Sequence, residues 1–138
     1  TKLEPNTPKI IDRIKAIDIF REAGYDVHIN YSPVVYYEGY MKDYLELFEL
    51  VAKNVKDKDS VLSEVIFLTH NEKKHEQNQM NRRNGEELLW NPDIQETKVS
   101  SYGGKNIRYK YQLKNKMIKD FKDTHSRVIP WNTIRYIF

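Results

Sequence analysis

Apolar side chains at Ile10, Ile14, Ile17 and Phe20 recur every three or four residues between Thr7 and Ala23, which is the spacing of one helix face. Thr7 suits the N-cap, Pro8 the first helical position, and Gly24 the stop. From Tyr25 to Ser32 the period falls to two, with Val27, Ile29 and Tyr31 alternating against Asp26, His28 and Asn30. This predicts a strand whose ladder ends at Pro33, a residue without a backbone donor. An aromatic stretch around Tyr36 to Tyr40 leads into a second helical pattern carrying Tyr44, Leu47, Phe48, Val51 and Val55, closed by a polar turn at 56–59. Val61 to Leu68 then forms a second strand, too continuously apolar for a sheet wet on one face.

Helix, strand, helix, strand is an α/β order, and it predicts two parallel, adjacent strands. Two such strands cannot cover both faces of a sheet, so residues 1–70 read as βα units of a larger parallel sheet, open or closed, whose other strands precede Thr1. A first residue of Thr rather than Met fits processing or, better, a fragment. Residues 71–87 are almost entirely polar and read as a connection that is mobile or covered by a partner, with a helical turn or two. Residues 88–138 read as a small α+β extension. It holds a β-hairpin with arms 95–102 and 106–111 meeting at Gly103-Gly104, with Ile107, Tyr109 and Tyr111 on one face. A lysine-rich helix with Met117, Ile118 and Phe121 inward follows at 113–124, and a strand at 133–138 closes the chain.

The 138 residues suffice for one domain, and 39% hydrophobic with 31% charged residues describes a modest core under a charged surface. No stretch approaches the roughly 20 apolar residues of a membrane span, and no secretory signal begins the chain, so the cytoplasm is expected. There is no cysteine, which excludes disulfides, thiol nucleophiles and thiolate-held clusters within these residues. The net charge of +3 is small but unevenly spread. Residues 98–127 carry nine basic side chains against Asp120 and Asp123, a local +7, which leaves −4 on the remainder.

Three ordered blocks resemble the C-terminal part of spore photoproduct lyase-like radical SAM proteins. The first is Arg13-Ile14-x-Ala16-Ile17 with Ala23-Gly24-Tyr25-Asp26-Val27-His28-Ile29-Asn30-Tyr31-Ser32-Pro33-Val34, then Glu38-Gly39-Tyr40 and Asp43-Tyr44. The second is Leu68-Thr69-His70-Asn71 with His75-Glu76. The third runs from Leu88-Leu89-Trp90-x-Pro92 and Gln95-Glu96-x-Lys98 through Gly103-Gly104-x-Asn106-Ile107-Arg108-Tyr109 to Ile129-Pro130-Trp131 and Ile134-Arg135-Tyr136-x-Phe138. They are more similar to the version of the family found outside spore formers than to the sporulation enzyme. The resemblance implies the C-terminal portion of a partial TIM-type (radical SAM) barrel. It also implies a parent protein that binds a [4Fe-4S] cluster and S-adenosylmethionine, cleaves the latter to a 5′-deoxyadenosyl radical, and acts as a lyase on nucleic acid in DNA photoproduct repair. The partner implied for these residues is the N-terminal half of the barrel. The family's CxxxCxxC motif is absent here, so this segment alone is not expected to be catalytic.

Site candidates follow from strand ends and charge. In the family the Ser32-Pro33 position lies near S-adenosylmethionine, which makes Ser32, Asn30 and Pro33 cofactor-binding candidates; otherwise Ser-Pro simply ends the strand. His28 shares a face with Asn30 and Ser32, and His70 follows a strand, so both are candidates for a substrate pocket or for satisfied interior hydrogen bonds. His70, His75 and Glu76 lack the spacing of one helical face and a third histidine, so no metal site is expected. Tyr102, Lys105, Arg108 and Tyr109 on the hairpin offer cations and stacking faces to nucleic acid, or pack against the lysine-rich helix as a solvated surface. Trp90 and Trp131 read as core anchors. Besides the radical SAM lyase on nucleic acid, the residues permit a nucleic-acid-binding module without chemistry, or a radical SAM enzyme acting on a small molecule or protein.

Overall fold

The computed structural model describes residues 6–138, so the first five residues of the expected 1–70 unit lie outside the described residues. Helix α1 spans Ile10–Glu22 and is capped by Lys9 without a side-chain bond, so the helix starts later than Thr7 and Pro8 suggest. Gly24 ends it as predicted, at φ +86°, a conformation natural to glycine. Strand β1 (His28–Val34), helix α2 (Tyr40–Asn54) and strand β2 (Leu62–Phe67) follow. The two strands are adjacent and parallel, in a register that pairs Tyr31 with Val65. The ladder breaks between Tyr31 and Val34 but resumes with Val34 opposite Phe67, so Pro33 interrupts the strand instead of ending it.

The chain passes straight from β2 into strand β3 (Thr69–His70), which leaves the parallel sheet. Helices α3 (Glu72–Met80) and α4 (Glu86–Leu89) occupy the stretch expected to be a loose connection. The hairpin is strand β4 (Gln95–Val99) with strand β5 (Lys105–Tyr109), and β3 pairs antiparallel with β5 on its other side. At its turn Gly103 takes φ +79°, and Ser100 Oγ accepts from the Gly104 amide. Helix α5 (Tyr111–Val128) starts at Tyr111, which is therefore 70% exposed and shares no strand face with Ile107 and Tyr109.

Strand β6 (Thr133–Ile137) pairs parallel with β2, giving the sheet order β1-β2-β6. The final strand thus belongs to the first sheet and not to an extension at 88–138. Residues 69–110 are an insertion, and α5 is the crossover helix that carries the chain back, because a parallel partner can be reached only by crossing the sheet.

Among the described residues the helices pack on one face of the parallel sheet. Tyr31 meets Phe48 of α2 and Phe121 of α5 edge-on, at centroid distances of 5.5 and 5.6 Å, and Phe48 lies 5.2 Å from Phe121. Ile14 and Ile17 of α1, Val51, Val65 and Met117 complete this core. Inside it sits a polar trio: Asn132 Oδ1 accepts from Ser63 Oγ and from His125 Nε2 at 2.9 Å, while Asn132 Nδ2 donates to the Val61 carbonyl at 2.7 Å. Burial favours the neutral imidazole and pulls the His125 pKa below its ordinary value, against the Asn132 hydrogen bond. Among the described residues no helix is long and apolar enough to cross a membrane.

Candidate cofactor face and nucleic-acid interface

Strand alternation decides what the opposite face of the sheet presents. Tyr31, Ser63, Val65 and Phe67 point to the helices, so His28, Asn30 and Ser32 on β1 point the other way, and all three are exposed. Glu64 and Tyr136 pair across β2 and β6 on that same face. The Tyr136 hydroxyl donates to Glu64 Oε2 at 2.6 Å, His28 Nδ1 lies 3.2 Å from Glu64 Oε1, and the guanidinium of Arg135, the extra residue at a register shift, lies 3.4 Å from it. The Tyr136 hydroxyl, with help from His28 and Arg135, outweighs partial burial and holds the Glu64 carboxyl below its ordinary pKa. A parallel sheet normally has both faces covered. Here one face is packed by helices, and the other presents the polar groups of His28, Asn30, Ser32 and Glu64 together with half-buried Leu62 and Ile66.

The free edge of β1 and helix α1 border a cavity of about 780 Å³. Ile10 and Phe20, expected to be inward, are 44% and 52% exposed along it, beside Val27, Ile29 and Pro33. The edge strand therefore offers unpaired backbone groups and an apolar helix side together.

The second sheet sits at the carboxyl end of the first. β3 continues from the end of β2, the Leu68 amide donates to the Val34 carbonyl at 3.0 Å, and the Tyr36 amide donates to the Tyr109 hydroxyl at 2.7 Å. Ligands of parallel α/β folds sit at this end of the strands. The hairpin projects beside it, with Tyr102 fully exposed at the turn and Lys105 exposed at the start of β5. Arg108 is half-buried and paired with Glu96 at 3.1 Å. Lys114, at the start of α5, is partly buried; that burial, and then the charges of Arg108 and Lys98, lower its pKa. Such crowding of like charge is relieved by an anion.

Tyr109 does not join this group. It is 1% exposed and bonded to backbone, so its ring is not available to stack on a base. His70, 7% exposed, is also removed from the open face of the parallel sheet: its Nε2 lies 2.9 Å from Glu86 Oε1, so it does not line a pocket with His28. Trp90 stacks on His75 at 4.3 Å, and Trp131 receives Lys58 5.8 Å from its ring centre. Glu64, Tyr136, Lys114 and Glu86 escaped the sequence reading. For Glu64 the signal was present, since it is the one charged residue of β2 and a charge marks a face that is not core.

A family model for spore photoproduct lyase matches residues 1–138. The fold is similar to that of a spore photoproduct lyase double mutant with bound AdoMet and dinucleoside spore photoproduct, at 20% identity and a TM-score of 0.86. It is equally similar to a spore photoproduct lyase complexed with dinucleoside spore photoproduct, at 20% identity and a TM-score of 0.85. In both cases 97% of this chain is covered, and the chain spans 40% of the length of the structure it matches. No curated protein matches the chain.

Proposed function

The chain belongs to the spore photoproduct lyase family, and on that premise we propose that it forms the C-terminal part of a radical SAM lyase whose parent protein repairs DNA photoproducts. The observation that supports this most is the parallel sheet β1-β2-β6, covered by helices on one face and presenting on the other a polar row, His28, Asn30, Ser32 and Glu64, beside half-buried Leu62 and Ile66 that a further layer would cover. That is the form of the last strands of a partial TIM-type barrel, with the polar row as its interior. The N-terminal half of the barrel is the partner that would pair with the edge of β1 and cover Ile10 and Phe20 of α1.

S-adenosylmethionine fits the residues present. Asn30 and Ser32 are exposed polar groups near the carboxyl end of β1, and Pro33 sits where the ladder leaves backbone free beside a small side chain. When bound, this cofactor supplies hydrogen-atom abstraction from the substrate. The chain's own contribution is to bind and orient it, with His28 and the Glu64–Tyr136 pair keeping the neighbouring wall ionised and rigid. The [4Fe-4S] cluster does not fit, because these 138 residues include no cysteine; its ligands belong to the N-terminal half, and the segment alone is not catalytic.

The test is the full-length protein, anaerobically reconstituted, given S-adenosylmethionine and dinucleoside spore photoproduct. Release of thymidine that depends on S-adenosylmethionine is expected. Cleavage of the cofactor without thymidine would move the parent to a small-molecule or protein substrate. In the Ser32→Phe variant, iron content should hold while cofactor affinity falls about tenfold, as overpacking costs about 1–3 kcal/mol. Unchanged affinity removes Ser32 from the site.

Nucleic acid would meet the hairpin through Lys105, Arg108 and Tyr102, with Lys98 and Lys114 behind them. Replacing Lys105 and Arg108 together by Ala should flatten the salt dependence of duplex binding by up to about 2 units in log–log slope, one per lost phosphate contact. The Arg108–Glu96 pair lost in that variant is partly exposed and worth at most about 1 kcal/mol, so the fold survives. Replacing Tyr102 by Ala should weaken binding to single-stranded or lesion-bearing DNA by about 1–3 kcal/mol with the slope unchanged. An unaltered slope and unaltered affinity would make the hairpin purely structural.

A further inference from the structure

Helix α3 has no buried residue, yet it is held against the body of the protein. Its sequence, Glu-Lys-Lys-His-Glu-Gln-Asn-Gln-Met, offers no apolar stripe, so the hydrophobic effect cannot be what fastens it. What reaches inward is His75. Its Nδ1 lies 2.6 Å from Glu86 Oε1 on α4, and the same oxygen lies 2.9 Å from His70 Nε2 on β3. Three separate elements thus bring two imidazole nitrogens and one carboxylate oxygen within 4.8 Å of one another.

We propose that His70, His75 and Glu86 bind a divalent first-row transition ion, with Zn²⁺ as the fitting class, and that this ion fastens the polar segment 71–89 to β3. Two imidazoles and one carboxylate form a zinc ligand set, with water in the fourth position. Tetrahedral zinc with bonds of about 2.0–2.1 Å sets its ligand atoms about 3.3 Å apart, so the ion enters as Glu86 Oε1 draws back from the two imidazole nitrogens, now 2.6 and 2.9 Å away, and those nitrogens, within 4.8 Å of each other, swing toward the metal. The surroundings are those of an oriented site. Trp90 stacks on the His75 ring with an interplanar angle of 11° and meets His70 edge-on at 5.9 Å, and Asn78 Nδ2 holds the other Glu86 oxygen at 2.6 Å. Where a segment lacks a core of its own, a metal is a known substitute, since its binding energy is folding energy. The consequence for the hairpin is direct: His70 pairs with Ile107 of β5, so the ion would also pin the strand that carries Arg108.

The sequence concealed this because His75 and Glu76 are adjacent and draw the eye together, whereas the carboxylate that converges is Glu86. The experiment uses the full-length protein, stripped with a chelator and titrated with Zn²⁺ against a chromophoric competitor, with iron measured separately. One zinc per chain is expected, and X-ray absorption at the zinc edge should show a nitrogen and oxygen shell at about 2.0–2.1 Å with imidazole scattering. Amide exchange across residues 72–80 should slow on binding. His75→Ala should weaken zinc at least about 100-fold, since even outer groups around a metal are worth about 10–100-fold. Glu86→Gln keeps the side chain's size and a hydrogen-bonding oxygen, and should lose zinc while melting normally in its absence. Glu76→Ala, altering an exposed side chain, should bind as the parent does. Failure to bind stoichiometric zinc, equal affinity in His75→Ala, or an absorption spectrum without imidazole overturns the proposal and leaves a network closed by hydrogen bonds alone.

Discussion

Asn132→Ala is expected to destabilise the protein by about 3 kcal/mol or more. Asn132 is 3% exposed and lies just ahead of β6, where its amide ties the start of β2, through Ser63 and the Val61 carbonyl, to His125 on α5. Alanine would leave a hydroxyl, an imidazole N–H and a carbonyl without partners in a site closed to water, at about 1–3 kcal/mol for each group. Asn132→Asp keeps the oxygen that accepts from Ser63 and His125 but removes the donor to Val61. It should be less costly than Ala at low pH, where the acid is neutral, and no better than Ala at neutral pH, where a charge is buried. Urea denaturation at two pH values checks both statements. An Asn132→Ala protein within about 1 kcal/mol of the parent would mean that water enters and satisfies the trio.

That trio also shows where sequence patterning stopped. The helix, strand, helix, strand order and the parallel pairing of β1 and β2 were legible, because apolar periods of 3.6 and 2 report directly on which face is buried. The same alternation correctly separated His28, Asn30 and Ser32 from Ile29 and Tyr31. Three things were not legible. Ser63, His125 and Asn132 carry no periodic signal, since a polar group inside a core is recognised only by its partners, which are 7 and 69 residues away in sequence from Asn132. The placement of β6 beside β2 depends on a crossover after a long insertion, and local pattern does not say which sheet a terminal strand joins. The segment 71–87 reads on composition as a mobile or partner-covered connection with a helical turn or two, yet it holds two helices against the body because Asn71 caps α3 by accepting from the Lys74 amide and because Glu86 gathers His70, His75 and Asn78.

Tyr109→Ala should cost about 3–5 kcal/mol, and Tyr109→Leu less, with neither change weakening nucleic-acid binding by the protein that remains folded. The sequence offers Tyr109 as a stacking face next to Arg108, and strand alternation alone explains why it is not one: when Arg108 points to solvent, its neighbour points in. The ring closes the space between β5 and the carboxyl end of β1, 6.4 Å from Tyr36, and its hydroxyl accepts from the Tyr36 amide. Burial pushes the phenol up to about 12, with the Tyr36 amide opposing the shift, so the group stays a neutral hydroxyl at any working pH. Tyr109→Phe retains the ring but strands the Tyr36 N–H, at about 1–3 kcal/mol, and so separates the hydrogen bond from the packing. Leucine retains apolar volume without an aromatic face, and this makes it the discriminating variant for binding. Fluorescence anisotropy with labelled DNA, at a temperature where urea curves show the variant folded, should return the parent's affinity and salt slope for Tyr109→Leu. A loss of about 1–3 kcal/mol in affinity at constant slope would instead mean that the hairpin opens on DNA and presents Tyr109 to a base. The stacking role assigned above to Tyr102 would then pass back to the buried ring.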